Sequence, residues 1–117
     1  MSEFPSLLLD STQERKPSAV LVSVLLPHSD EHAVNVSLSE LARLLDTAGG
    51  IVFATMVQAK QAPDVRTYIG KGKVQELCAL CEANGVDLVV FDCELSPMQL
   101  REIEEGIDAE VEVLDRS

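Results

Sequence analysis

Three aliphatic runs, each followed by polar sequence of helical period or turn character, constrain this chain more than anything else in it. Residues 19–26 (AVLVSVLL) are continuously apolar and end at Pro27, and residues 51–57 (IVFATMV) and 88–91 (LVVF) repeat the pattern. All three read as strands, and the first, continuously aliphatic, suits one buried on both faces. Between the first two, Leu38, Leu41, Ala42, Leu45 and Ala48 recur at helical spacing, and Gly49-Gly50 stops the helix. Ser37-x-x-Glu40 reads as its capping box, with Val36 and Leu41 as the hydrophobic staple. Residues 27–35 are then expected to form a polar loop.

A second helix over residues 74–84 carries Val74, Leu77, Cys78 and Cys81 on one face and stops at Asn84-Gly85. Ser96-Pro97-Met98-Gln99 is another capping box, with proline at the first helical position and Leu95 and Leu100 as staple. Leu100 and Ile103 should face inward, Gly106 should close this third helix, and residues 109–114 read as a short fourth strand.

The order β-α-β-α-β-α-β with short links specifies an α/β fold: three layers, a four-stranded parallel sheet, and helices on both faces. The simplest strand order is 2-1-3-4, which reverses winding between strands one and three. Ligands are then expected near loops 27–36 and 92–96, with the basic loop after strand two at the same edge. Residues 1–18 read as a flexible arm and residues 19–117 as the domain.

Charge is where composition bears on partners. The formal net charge is −11 at pH 7, which argues against general nucleic-acid binding. Its distribution is uneven, however. Residues 60–73 hold Lys60, Arg66, Lys71 and Lys73 against Asp64 alone, whereas residues 94–112 hold seven acids against Arg101 alone. A polyanion would therefore meet the first segment. No apolar stretch approaches a membrane span or a signal peptide, and three cysteines in such a chain are expected to be free thiols in a reducing compartment. The expected location is cytoplasmic.

Within the basic segment, Arg66-Thr67-Tyr68-Ile69-Gly70-Lys71-Gly72-Lys73 crowds cations, glycines and the only tyrosine before a helix start. Glycine allows close backbone approach, and a helix start offers unpaired N–H groups with partial positive charge, so the turn could hold a phosphate. Equally, G-x-G fits a plain loop-to-helix turn with solvated lysines. It is not a Walker A loop, because the spacing is absent and Val74 follows Lys73. The expected phosphate- or nucleic-acid-facing residues are Arg66, Tyr68, Gly70, Lys71, Gly72 and Lys73, with Tyr68 either stacking on a base or packing against the sheet edge.

Other constellations read as structural. Cys78-x-x-Cys81 lacks a second ligand pair for zinc and lies too deep in its helix for a redox motif, so it reads as core packing. Asp30, Glu31, Asp92 and Glu94 could converge on Mg²⁺ or make Asp92 a phospho-acceptor, but no fifth strand brings the lysine that such chemistry wants. His28 and His32 have no third ligand. Neither a metal site nor a catalytic set is expected.

Residues 64–77 (DVRTYIGKGKVQEL) closely resemble the N-terminal domain of the HflX family of ribosome-associated GTPases. Asp87 to Asp92 with Glu94-Leu95-Ser96-Pro97, and Val113-Leu114-Asp115-Arg116, agree, so the resemblance covers about residues 19–116. It implies the same α/β sheet, leading into a helical hairpin and a G domain that bind GTP and Mg²⁺ elsewhere. Ser117 stands where the family commonly has threonine. The resemblance also implies association with the large ribosomal subunit and its rRNA, in ribosome splitting or rescue. Some family members are reported to bind ATP through this region, so a weak ATPase or a scaffold for the hairpin are the alternatives. Walker A, D-x-x-G and N-K-x-D are all absent from the chain, so no cofactor and no GTPase chemistry are expected within it.

Overall fold

The computed structural model describes residues 16–116. Seven elements follow in order: β1 (Ser18–Leu25), α1 (Glu31–Thr47), β2 (Ile51–Ala59), α2 (Lys71–Asn84), β3 (Leu88–Phe91), α3 (Pro97–Gly106) and β4 (Glu112–Leu114). The strands form one sheet in the order β2-β1-β3-β4, and every pair is parallel. The expected fold and strand order are therefore present. The arm expected over residues 1–18 lies outside the described residues as far as residue 15, and Ser18 already belongs to β1.

β1 is the axis of two cores. Val20, Val22 and Val24 pack with Val89 and Phe91 of β3 beneath α2 and α3, through Val74, Leu77, Cys81 and Ile103. Ala19 and Leu21 pack with Leu88 and Val90 beneath α1, through Leu38, Leu41 and Leu45. β2 is different: as an edge strand its residues alternate between exposed and half-buried. Its register against β1 shifts between Ala19 and Val20, a bulge that moves Ala54 and Met56 onto the α2 and α3 side.

Besides β1, which runs one residue earlier at each end, four elements differ in their boundaries from the sequence reading. α1 begins at Glu31, not after Ser37, because Asp30 is the true cap: its Oδ1 accepts the His32 N–H at 3.0 Å. Ser37 and Glu40 sit inside the helix, and Val36 is 46% exposed beside a fully buried Leu41, so there is no staple. β2 runs two residues further than expected, and α2 starts at Lys71, which puts Gly72 and Lys73 in its first turn. β4 is shorter than residues 109–114, because Asp108 accepts the N–H of Glu110 through Oδ1 and of Val111 through its carbonyl, both at 2.9 Å. By contrast the Ser96 box is complete, with Ser96 Oγ accepting from the Gln99 N–H (3.1 Å) and Gln99 Oε1 from the Ser96 N–H (3.0 Å).

The two candidate caps of α1 can be separated by substitution. Asp30→Ala should lower stability by about 1 kcal/mol. Ser37→Ala should be neutral or slightly stabilising, since alanine is the better residue inside a helix. Urea unfolding of both variants tests this, and a clear loss from Ser37→Ala alone would restore the later start.

Candidate anion-binding groove

The loop that carries Arg66 is a small closed hairpin. Asp64 and Tyr68 exchange both backbone hydrogen bonds at 2.9 Å. Asp64 Oδ1 also accepts the N–H groups of Arg66 (2.9 Å) and Thr67 (3.1 Å), so one carboxylate turns the chain upon itself. These donors, Arg66 first and Thr67 second, hold the Asp64 carboxyl below its usual 3.8, with the charge of Lys60 adding to the effect. From α3, the Gln99 side-chain amide donates to the Asp64 carbonyl at 2.9 Å and fixes the hairpin to that helix.

Tyr68 turns the other way. Its φ of 65° is left-handed, which costs an L-residue roughly 1–2 kcal/mol. The ring meets Phe91 edge-on, with centroids 6.3 Å apart and planes at 77°, and its hydroxyl contacts the Cys93 thiol. Burial pushes the phenol well above its ordinary pKa and pushes the Cys93 thiol up to about 11. The next residue, Ile69, is completely buried, worth roughly 1.5–3 kcal/mol, which outweighs the strain. Tyr68 therefore packs against the sheet, and the base-stacking orientation is not the one the fold gives it.

Of the other expected residues, Arg66 and Lys71 line one cavity, whereas Gly70, Gly72 and Lys73 lie at the start of α2 without lining it. Gly70 is the N-cap of α2, no side chain caps that end, and its own N–H donates to Gln58 Oε1 at 2.9 Å. The first-turn N–H groups thus present the positive end of the helix. A Cβ on Gly70 would stand 3.3 Å from the Gln58 side chain and 3.8 Å from Lys60 Nζ, so Lys60 lies beside the helix start with Lys71 and Lys73. Lys73 pairs with Glu76 at 3.0 Å, and Arg66 with Glu102 of α3 at 3.1 Å. Arg66, Lys71, Asp64, Thr67 and Glu102 line a cavity of about 450 Å³ between the hairpin, α2 and α3. Its floor is Val74 and Gly106, which touch so closely that a Cβ on Gly106 would lie 2.8 Å from Val74.

This groove is not the crevice expected between loops 27–36 and 92–96. A second cavity, of about 520 Å³, opens at Leu26, Pro27, Ser29 and Lys60 and does not reach the latter loop. Of the four acids weighed as a cluster there, Asp30 caps α1, and the Asp92 side chain is 3% exposed with Arg116 Nε 3.3 Å away. Among the described residues no group of His, Cys, Asp and Glu is placed to hold a metal. Cys81 is buried and its thiol is pushed up to about 11 by that burial, whereas Cys78 is only half-buried. Glu102 lines the groove, and Lys60 stands beside the start of α2 while lining the second cavity; the expected site residues include neither. Lys60 has a signal, its place in the basic segment, but Glu102 lies 36 residues from Arg66 and only the fold joins them.

Residues 35–117 match the family described as GTP-binding GTPase N-terminal. Curated proteins named GTPase HflX are similar over most of the chain. The one from Alkalihalophilus pseudofirmus is 36% identical over 108 residues, covering 92% of this chain and 25% of its own length. That from Flavobacterium psychrophilum is 34% identical over 98 residues (84% and 23%), and that from Escherichia coli 32% over 80 residues (68% and 18%). The chain thus spans a quarter or less of these relatives. Among solved structures, the crystal structure of an SsGBP mutation variant superposes with a TM-score of 0.50 at 21% identity, covering 86% of this chain and 28% of that one, a likeness of fold.

Because the folded state lowers the Asp64 pKa, its carboxylate stabilises the hairpin above the usual 3.8 and the effect is lost as pH falls through the lower folded-state value. Asp64→Asn should therefore be less stable than the wild type near neutrality, by an amount that solvent screening keeps small. Paired unfolding curves should show the gap closing in acid, and a gap constant with pH would remove the carboxylate from the account of the turn.

Proposed function

The chain belongs to the HflX GTPase family as its N-terminal module, and from that premise we propose that it contacts ribosomal RNA of the large subunit through Arg66, Lys71 and Lys73. One observation carries the reading: in a chain of net charge −11, Lys60, Lys71 and Lys73 stand at a helix start without a side-chain cap, and Arg66 lines a cavity with Lys71. The helix adds its own positive end there, and the hairpin holds the backbone of Arg66 in place before any ligand arrives. Phosphate groups suit such a cluster, because arginine binds them through paired hydrogen bonds and lysine as a point charge.

In this proposal the module supplies docking for ribosome splitting or rescue, and GTP chemistry belongs to a G domain outside these residues. Tyr68 is assigned a supporting part, since its ring holds the loop to the sheet rather than facing outward. The acidic remainder keeps affinity modest and the binding salt-sensitive, because like charge repels the same RNA backbone at longer range.

The test is Arg66→Ala, Lys71→Ala and Lys73→Ala together, with co-sedimentation on purified large ribosomal subunits at several salt concentrations. The variant should fold, since Arg66 and Lys71 are exposed and the pairs that Arg66 and Lys73 make are surface pairs. Binding should weaken, and the log–log salt slope should fall by roughly 0.7–0.9 for each phosphate that is no longer neutralised. Unchanged binding and slope would reduce the loop to a turn. In a separate titration, the 117-residue chain should show no saturable heat with GTP and Mg²⁺. Micromolar binding there would move the GTP site into the chain.

A further inference from the structure

Arg66 reaches the groove already engaged. Its Nη2 lies 3.1 Å from Glu102 Oε1, with the arginine side chain 70% exposed and the glutamate 28% exposed. Both side chains line the same cavity, and Lys71 lines it with them. The backbone beneath Arg66 cannot follow a ligand away from Glu102, because Asp64 closes the hairpin and Gln99 ties it to α3, the helix that carries Glu102. Only the side chain of Arg66 is free to change partner. A carboxylate and a phosphate compete for the same guanidinium edge, so both cannot hold that edge at once.

We infer that Glu102 is a built-in competitor for Arg66, holding the edge of the guanidinium that a ligand phosphate takes when the groove is engaged. The inference rests on the phosphate-facing reading of the groove and adds its regulation: the affinity of the site is set by an acid of α3 as much as by the cations. The competition is mild because of its surroundings. An exposed pair contributes little on its own, whereas a phosphate offers Arg66 charge-assisted, two-point hydrogen bonding with Lys71 beside it. Glu76 pairs with Lys73 at 3.0 Å, but that pair lies along one helix and neither residue lines the groove. Glu102 therefore acts as the local brake on an RNA interaction that the overall charge already keeps weak.

The measurement uses the same large subunits, with six variants beside the wild type: Glu102→Gln, Glu102→Ala, Arg66→Ala, Glu102→Gln with Arg66→Ala, Glu104→Gln, and the triple alanine variant. Relieving the competitor should tighten binding roughly two- to fivefold at low salt, the range set by an exposed ion pair. The gain should vanish when Arg66 is alanine, and it should exceed that of Glu104→Gln, which removes the same charge from an exposed position on the same helix. Unfolding midpoints should match the wild type, and Glu102→Ala should repeat the gain, so that an effect of the amide itself is separated. If Glu102→Gln binds no more tightly while the triple variant still loses binding, the competitor role fails and the phosphate-facing reading stands. If Glu104→Gln gains as much, or the gain survives without Arg66, net charge explains it and the role fails likewise. If the triple variant binds as the wild type does, the reading falls and this inference falls with it.

Discussion

Everything in this domain hangs on a strand that has no wet side. β1 is paired along both edges, to β2 and to β3, and its interior residues are buried on both faces. A strand so placed has no polar alternative for its backbone or its side chains, so its neighbours must be parallel strands brought round by helices. The two cores that meet at β1 then decide where each helix lies: α1 on one side, α2 and α3 on the other. The groove between α2 and α3 exists because both helices share that second side and touch at Val74 and Gly106.

The groove also shows how little of a charged site is built from charge. Arg66 is presented by a hairpin that Asp64 closes, Gln99 anchors and Tyr68 with Ile69 pulls into the core. Lys71 is presented by a helix whose first turn is placed by Gly70 against Gln58. Preorganisation of this kind removes part of the ordering cost a ligand would otherwise meet. It also brings acids near the cations, since α3 supplies Glu102 from the same packing that holds the loop.

Much of this is legible from the residues, and the errors have a common cause. The strands and their order follow from aliphatic runs and short connections, which are strong local signals. The Ser96 box is legible because serine, proline and Gln99 lie within one turn and nothing competes with them. The Ser37 box fails because a serine three residues before a glutamate also occurs by chance inside a helix. The first turns of α1 are exposed, so they carry no apolar period, and Asp30 resembles part of a loop. Lys60 lies just past the end of β2 and reaches the helix start only because β2 runs longer than its apolar stretch suggests. Glu102 has no signal at all in sequence. Tyr68 is compatible with two orientations on sequence, and the sheet edge takes it because Phe91 ends β3 beneath it.

The left-handed backbone of Tyr68 places the residue under two opposed selections. Conformation favours glycine or asparagine there, whereas the space above Phe91 favours an aromatic ring. Asparagine would relax the chain and empty the space. Phenylalanine would keep the ring and the strain and lose the hydroxyl that meets Cys93. Glycine would free the hinge and uncouple the hairpin from the sheet. No natural residue satisfies both demands, so the tyrosine is a compromise whose worth is set by the loop it holds shut. Drift at this position would be felt first at Arg66, two residues away, as a loss of aim rather than a loss of charge.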